Sequence, residues 1–144
     1  MLEIIKTRPA RTPVCSTSGS AGIDFFVPDD FEEAMVAPGN SINIPSGIIA
    51  RFDPGKVLIA FNKSGIAVRN GLQVGACVVD SDYDGEIHLH LMNVSDKHVF
   101  ITPGAKLVQF ILLDYNPVHA IIEVEKFAER ETQRGKGAFG STDD

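Results

Sequence analysis

Three carboxylates and an aromatic ring crowd into one short stretch, Asp80-Ser81-Asp82-Tyr83-Asp84-Gly85, between two apolar segments. Like charges packed this closely repel, so the concentration calls for a reason. Two chemistries suit it. Asp at alternate positions followed by Gly spells the opening of an EF-hand calcium loop, but that loop closes on a bidentate Glu at its twelfth position. Counted from Asp80 that position is Leu91, and strand-like sequence rather than helix flanks the segment. The second chemistry is a carboxylate held at a strand end as a general base, with the Tyr83 ring beside it as a flat apolar surface. Taken alone, the same letters also spell a polar hairpin turn, since Asp and Gly are ordinary turn formers.

Two further stretches suit anion binding. Asn62-Lys63-Ser64-Gly65 brings a cation, a hydroxyl and a Gly to the end of an apolar run, a turn able to hold phosphate oxygens and equally an ordinary surface turn. Gly135-Lys136-Gly137-Ala138-Phe139-Gly140 fits G-x-G-x-x-G, yet a dinucleotide fingerprint follows a strand, opens a helix and precedes an acidic residue about twenty positions on. This chain ends at Asp144. What survives is a backbone freed to wrap an anion, with Arg134 able to fork onto phosphate oxygens and Phe139 able to cover a base or sugar. A loose terminus is the alternative.

The elements that must position these residues are strands. Thirteen Gly and eight Pro cut the chain into short segments of alternating or β-branched apolar residues. Strands are predicted over residues 2–6, 41–44, 47–52, 57–61, 76–79, 86–92, 98–101, 107–113 and 118–124. Within 86–92, Ile87, Leu89 and Leu91 face one way and His88, His90 and Met92 the other. Helix signals are poor: only 120–133 is long enough, and its Ile121, Val124 and Phe127 equally fit a strand running into a polar linker, the reading preferred here. No internal repeat is evident, and the regular turn spacing favours a sandwich or barrel over an α/β fold. Residues 129–144, charged and Gly-rich with Phe139 as their one aromatic, read as a mobile arm after a 1–128 domain.

Bulk properties narrow the function. A chain of 144 residues with 44% apolar content suits one domain with one core. A net charge of −6 without a Lys/Arg stripe argues against long nucleic acid as a partner. It leaves room for a small polyphosphate met by a few cations, backbone N–H groups and a metal ion. No apolar run is long enough to cross a bilayer, and Cys15 and Cys77 read as free thiols of a reducing compartment, so a cytoplasmic protein is expected.

Taken in order, five segments resemble the five motifs of the trimeric dUTPase family, and the resemblance spans essentially the whole chain. They are Ala21-Gly22-Ile23-Asp24-Phe25, Asn62-Lys63-Ser64-Gly65-Ile66-Ala67, the stretch 75–93 around Asp80-Ser81-Asp82-Tyr83-Asp84-Gly85, Pro103-Gly104-Ala105-Lys106-Leu107-Val108-Gln109-Phe110, and Arg134-Gly135-Lys136-Gly137-Ala138-Phe139-Gly140-Ser141-Thr142. The resemblance implies an all-β, jelly-roll-like barrel of the dUTPase-like β-clip kind, forming a homotrimer whose C-terminal arm swaps onto a neighbour. It implies hydrolysis of dUTP to dUMP and pyrophosphate with Mg²⁺, which limits uracil incorporation into DNA and supplies dUMP for dTMP synthesis.

The resemblance also assigns roles. Asp80 is the base that orients water for in-line attack on the α-phosphate. Tyr83 packs under the deoxyribose and leaves no room for a 2′-hydroxyl. Backbone groups around Cys77, Val78 and His88 read uracil, while Lys63, Ser64, Gly65 and Gln109 hold the phosphates. Arg134, Phe139, Gly140, Ser141 and Thr142 close over the nucleotide. Mg²⁺ rides on the triphosphate and its waters without a direct protein ligand, and Asp24 supports the site and that water shell. Parts this dispersed fit a site built from three subunits.

Three positions depart from the pattern: Lys63 where Arg is usual, which loses the planar fork; Cys77 where Gly is usual; and Asp84 where a basic or amide residue is commoner. Two rivals share the scaffold. A dCTP deaminase carries a catalytic Glu three residues before the motif's Asn, where this chain has His90 before Asn93. A non-catalytic regulator binding nucleotide or protein is opposed by the joint presence of Asp80, Tyr83, Gln109, Arg134 and Phe139.

Overall fold

The computed structural model describes residues 1–132. Its strands are β1 (Leu2–Lys6), β2 (Ile23–Phe26), β3 (Ala34–Val36), β4 (Ser41–Pro45), β5 (Ile48–Phe52), β6 (Lys56–Asn62), β7 (Leu72–Val74), β8 (Val78–Val79), β9 (His88–Asn93), β10 (Val99–Ile101) and β11 (Lys106–Asp114), with one helix, α1 (Ser64–Asn70), between β6 and β7. All pairings are antiparallel. They make four small sheets, ordered β1-β5, β10-β3, β2-β11-β6-β8 and β4-β9-β7. This is the expected jelly-roll-like β architecture.

Alternation builds the core. On β9 and the residue before it, Ile87, Leu89, Leu91 and Asn93 are buried while His88 and Met92 face out, as period-2 geometry requires. On the central strand β11, Phe110 stacks at a tilt on Phe25 of β2, ring centroids 4.5 Å apart, a geometry worth about 1 kcal/mol beyond the area buried. A register shift between Lys106 and Val108 lets consecutive Leu107 and Val108 both turn inward. Downstream of it, Gln109 stands opposite Asp24 on β2 and Phe61 on β6. Buried Asn93 donates from Nδ2 to the carbonyls of Val36 (2.8 Å) and Lys97 (2.7 Å) and accepts from Ser95, shaping the turn into β10.

Eight predicted strands are present, β1 with the predicted ends and seven with shifted ends, and two expectations fail. Residues 118–124 form no strand: Val118, Ile121, Ile122 and Val124 are exposed, and no described strand pairs with them. Conversely, α1 occupies sequence read as a turn. With Gly65 and Val68 inside it and no buried residue, α1 lacks the apolar stripe that announces a helix. Its legible mark is Gly71, left-handed at φ 64°, whose N–H caps the Ala67 carbonyl. Strands β2, β3 and β7 are three or four residues long, too short to show a period.

Candidate active site

Where β7 ends, the chain leaves one sheet for another. Residues 75–77 cross from the β4-β9-β7 sheet to β8, and the turn after β8 opens with Asp80. The Tyr83 N–H donates to the Asp80 carbonyl at 3.2 Å, closing that turn, and the Tyr83 hydroxyl donates to the Glu86 carbonyl at 3.0 Å. Gly85 lets the ring lie close, since a Cβ there would meet Tyr83 Cζ at 2.4 Å. Asp80 itself is exposed.

These segments enclose a hollow of about 200 Å³ whose lining includes Cys77, Val78, Tyr83, Glu86, His88 and Phe110. It is smaller than the roughly 300 Å³ at which whole-ligand pockets begin, and so suits one flat ring with polar parts left outside. A larger hollow of about 600 Å³, between Arg69, Ser95, Lys97 and Phe100, includes none of the candidate residues. The smaller one is therefore the site candidate.

A second cluster surrounds Asp24, 3% exposed. Lys63 donates to its Oδ1, Ser16 Oγ to Oδ2 at 2.8 Å, and Lys106 Nζ lies 3.3 Å from Oδ2. Burial pushes the Asp24 carboxyl up, but the hydrogen bonds from Lys63, Ser16 and Lys106 outweigh it and hold the carboxyl below the ordinary aspartate range. Gln109 Nε2 donates to the Asn62 carbonyl at 2.8 Å, just before Lys63. Ser64 and Gly65 open α1, where the first N–H groups of any helix lack intrahelical partners. The cluster thus gathers two cations, an amide and free backbone donors, a set suited to phosphate.

Asp24→Asn is expected to cost about 2 kcal/mol, because it strands Lys63 in a half-buried setting. With its carboxyl depressed, Asp24 stabilises the fold above the ordinary aspartate value near 4 and loses that contribution as pH falls further. Urea unfolding at neutral pH and near pH 3 checks this: the native chain should lose stability that Asp24→Asn does not. Parallel losses in both would contradict it.

The structure brings Cys77, Val78, Tyr83 and His88 together, and separately brings Asp24, Lys63, Ser64, Gly65 and Gln109 together. It does not unite Asp80 with Lys63. Val79 pairs with Leu58, so Asp80 is level with Val57, while Lys63 lies six residues further along the β6 direction. At strand rise that is about 20 Å within one chain. Arg134, Phe139, Gly140, Ser141 and Thr142 lie outside the described residues. Sequence reasoning gave no role to Ser16 or Lys106; the second stands in a quoted motif and was within reach, whereas only the fold brings Ser16 to Asp24.

The departures acquire settings. Asp84 faces Arg51 Nη2 at 3.4 Å, which offsets part of its charge. Cys77 is half-buried on the hollow's wall, and both thiols are free. Among the described residues no group of three His, Cys, Asp or Glu is arranged to hold a metal, and no helix is long and apolar enough to cross a membrane.

The dUTPase family model matches residues 8–143. The chain belongs to the dUTPase family. A deoxyuridine 5′-triphosphate nucleotidohydrolase of Hydrogenobaculum sp. is 36% identical over 141 residues, covering 92% of this chain and 90% of the relative. That of Saccharomyces cerevisiae is 33% identical over 143 residues, covering 96% and 90%. Among solved structures, the Staphylococcus bacteriophage 80alpha dUTPase with dUPNHPP superposes with a TM-score of 0.82 at 19% identity, covering 99% of this chain and 98% of that one. The native dUTPase of EIAV does so at 0.71 and 23% identity, covering 89% and 100%. These two likenesses establish the family fold.

Proposed function

We infer that the chain is a dUTP diphosphatase, cleaving dUTP and water to dUMP and pyrophosphate. The family match and the nucleotidohydrolase relatives support this, and one observation carries it to the residues: Asp80 and Tyr83 share one closed turn on the rim of a ring-sized hollow. Uracil enters the hollow and is read by backbone groups at Cys77 and Val78 with His88 on the opposite wall. Tyr83 lies under the deoxyribose. Asp80 takes a proton from the water that attacks the α-phosphate, and pyrophosphate leaves in line.

The separation of Asp80 from Lys63 supports a site completed by other copies of the chain, in a homotrimer. So do the exposed apolar side chains Phe100, Ile121, Ile122 and Phe127, which a monomer leaves in water. Lys63, Ser64, Gly65 and Gln109 of a second copy hold the phosphates. From the arm, 129–144, Arg134 forks onto them, Phe139 covers the base, and Gly140, Ser141 and Thr142 add donors.

A phage phi11 relative is described as coordinating a structural Mg(II) ion; it superposes with a TM-score of 0.78 at 18% identity, covering 90% of this chain and 99% of that one. Here both Asp24 oxygens already accept bonds from Lys63, Ser16 and Lys106, so Asp24 fits support of the ion's water shell rather than direct ligation. When bound on the triphosphate, Mg²⁺ neutralises charge on the leaving pyrophosphate. Hydrolysis of a free deoxynucleotide supports a nucleotide-handling compartment, and the reading assigns the protein to the cytoplasm.

Tyr83→Ala tests the sugar reading. It should leave dUTP turnover measurable while narrowing the kcat/KM preference for dUTP over UTP by about 10-fold. An unchanged preference, measured by pyrophosphate release, would remove Tyr83 from sugar selection.

A further inference from the structure

We propose that His90 is a positioning residue that holds the uracil-reading backbone through its neutral imidazole. The proposal rests on the dUTPase reading of the hollow. The β7-β9 ladder runs from Leu72 opposite Asn93 to Val74 opposite Leu91, and continues in one bond from the Gly75 N–H to the His90 carbonyl at 3.0 Å. The next ladder begins where the Ala60 N–H donates to the Cys77 carbonyl at 2.8 Å. Between them the chain changes sheets, and the Ala76 N–H falls in the gap. His90 Nδ1 accepts it at 2.9 Å.

The fit is close. A Cβ on Gly75 would meet His90 Nδ1 at 2.1 Å, so only Gly lets the ring lie against this backbone. One residue thus grips the crossing twice, by its carbonyl at Gly75 and its ring at Ala76, directly before Cys77 and Val78 on the hollow's wall. A backbone that reads a base must keep its donors and acceptors in register, and this crossing lacks a continuous ladder to do so.

The bond fixes the tautomer: Nδ1 accepts, so the neutral ring carries its proton on Nε2. The residues in register with this face are Ser41, Asn43 and Pro45 on β4 and Gln73 on β7, none charged, and His88 on β9 has its own contact, Nδ1 with Asn43 Nδ2 at 2.8 Å.

Two full-length variants test the proposal. His90→Leu keeps bulk and removes the acceptor; His90→Asn keeps an acceptor near the Nδ1 position. For His90→Leu, KM for dUTP should rise about 5- to 10-fold with kcat within about twofold, and exchange of the Ala76 amide should quicken. His90→Asn should recover most of the KM and of the Ala76 amide protection. A KM and an Ala76 exchange rate unchanged in His90→Leu would overturn the proposal. If the native chain itself failed to hydrolyse dUTP, the substrate reading would fall, and amide exchange alone would still decide whether His90 holds the crossing.

Discussion

Asp80→Asn is expected to bind dUTP as tightly as the native chain and to lose about 10³-fold in kcat. The amide preserves the side chain's shape and removes the lone function assigned to it, accepting a proton from water. Nothing in the packing opposes the change, since Asp80 is exposed and its carbonyl, not its carboxylate, closes the turn with Tyr83. Binding should persist because uracil, sugar and phosphate contacts fall to other residues. Single-turnover hydrolysis beside equilibrium binding separates the two terms; a variant that turns over normally would mean another group is the base.

A chain ending at residue 133 should fold and assemble as the native chain does and lose about 10²-fold in kcat/KM. The last core strand, β11, ends at Asp114, and the buried cluster lies wholly before it, so stability is not at stake. On the proposed reading the truncation removes Arg134 from the phosphates, Phe139 from the base and the donors that follow, and with them the exclusion of water and the fixing of attack geometry. Size-exclusion chromatography and steady-state kinetics check both halves. Full activity in the shortened chain would take the arm out of the mechanism.

The strands that alternate over five or more residues were readable because each buries one face; Ile87, Leu89 and Leu91 show why. Strand β2 was not, because its burial is set by the Phe25–Phe110 stack and by the cations gathered on Asp24, both long-range. The 118–124 pattern promised a strand because alternation records an apolar face but not what covers it; among the described residues nothing does. Helix α1 was hidden by its weak amphipathicity, with only Asn70-Gly71 marking its end. For the site, motif spelling reached Asp80, Tyr83 and Lys63, whereas the grip of His90 on Ala76 arises where two ladders meet and leaves no local signature.

The central claim is tested most directly by pyrophosphate release from the purified protein with Mg²⁺, comparing dUTP with UTP, dCTP and dTTP. Release from dUTP in strong preference to the other three is the predicted result. A folded protein that releases pyrophosphate from none of them, or that accepts UTP as readily as dUTP, would contradict it.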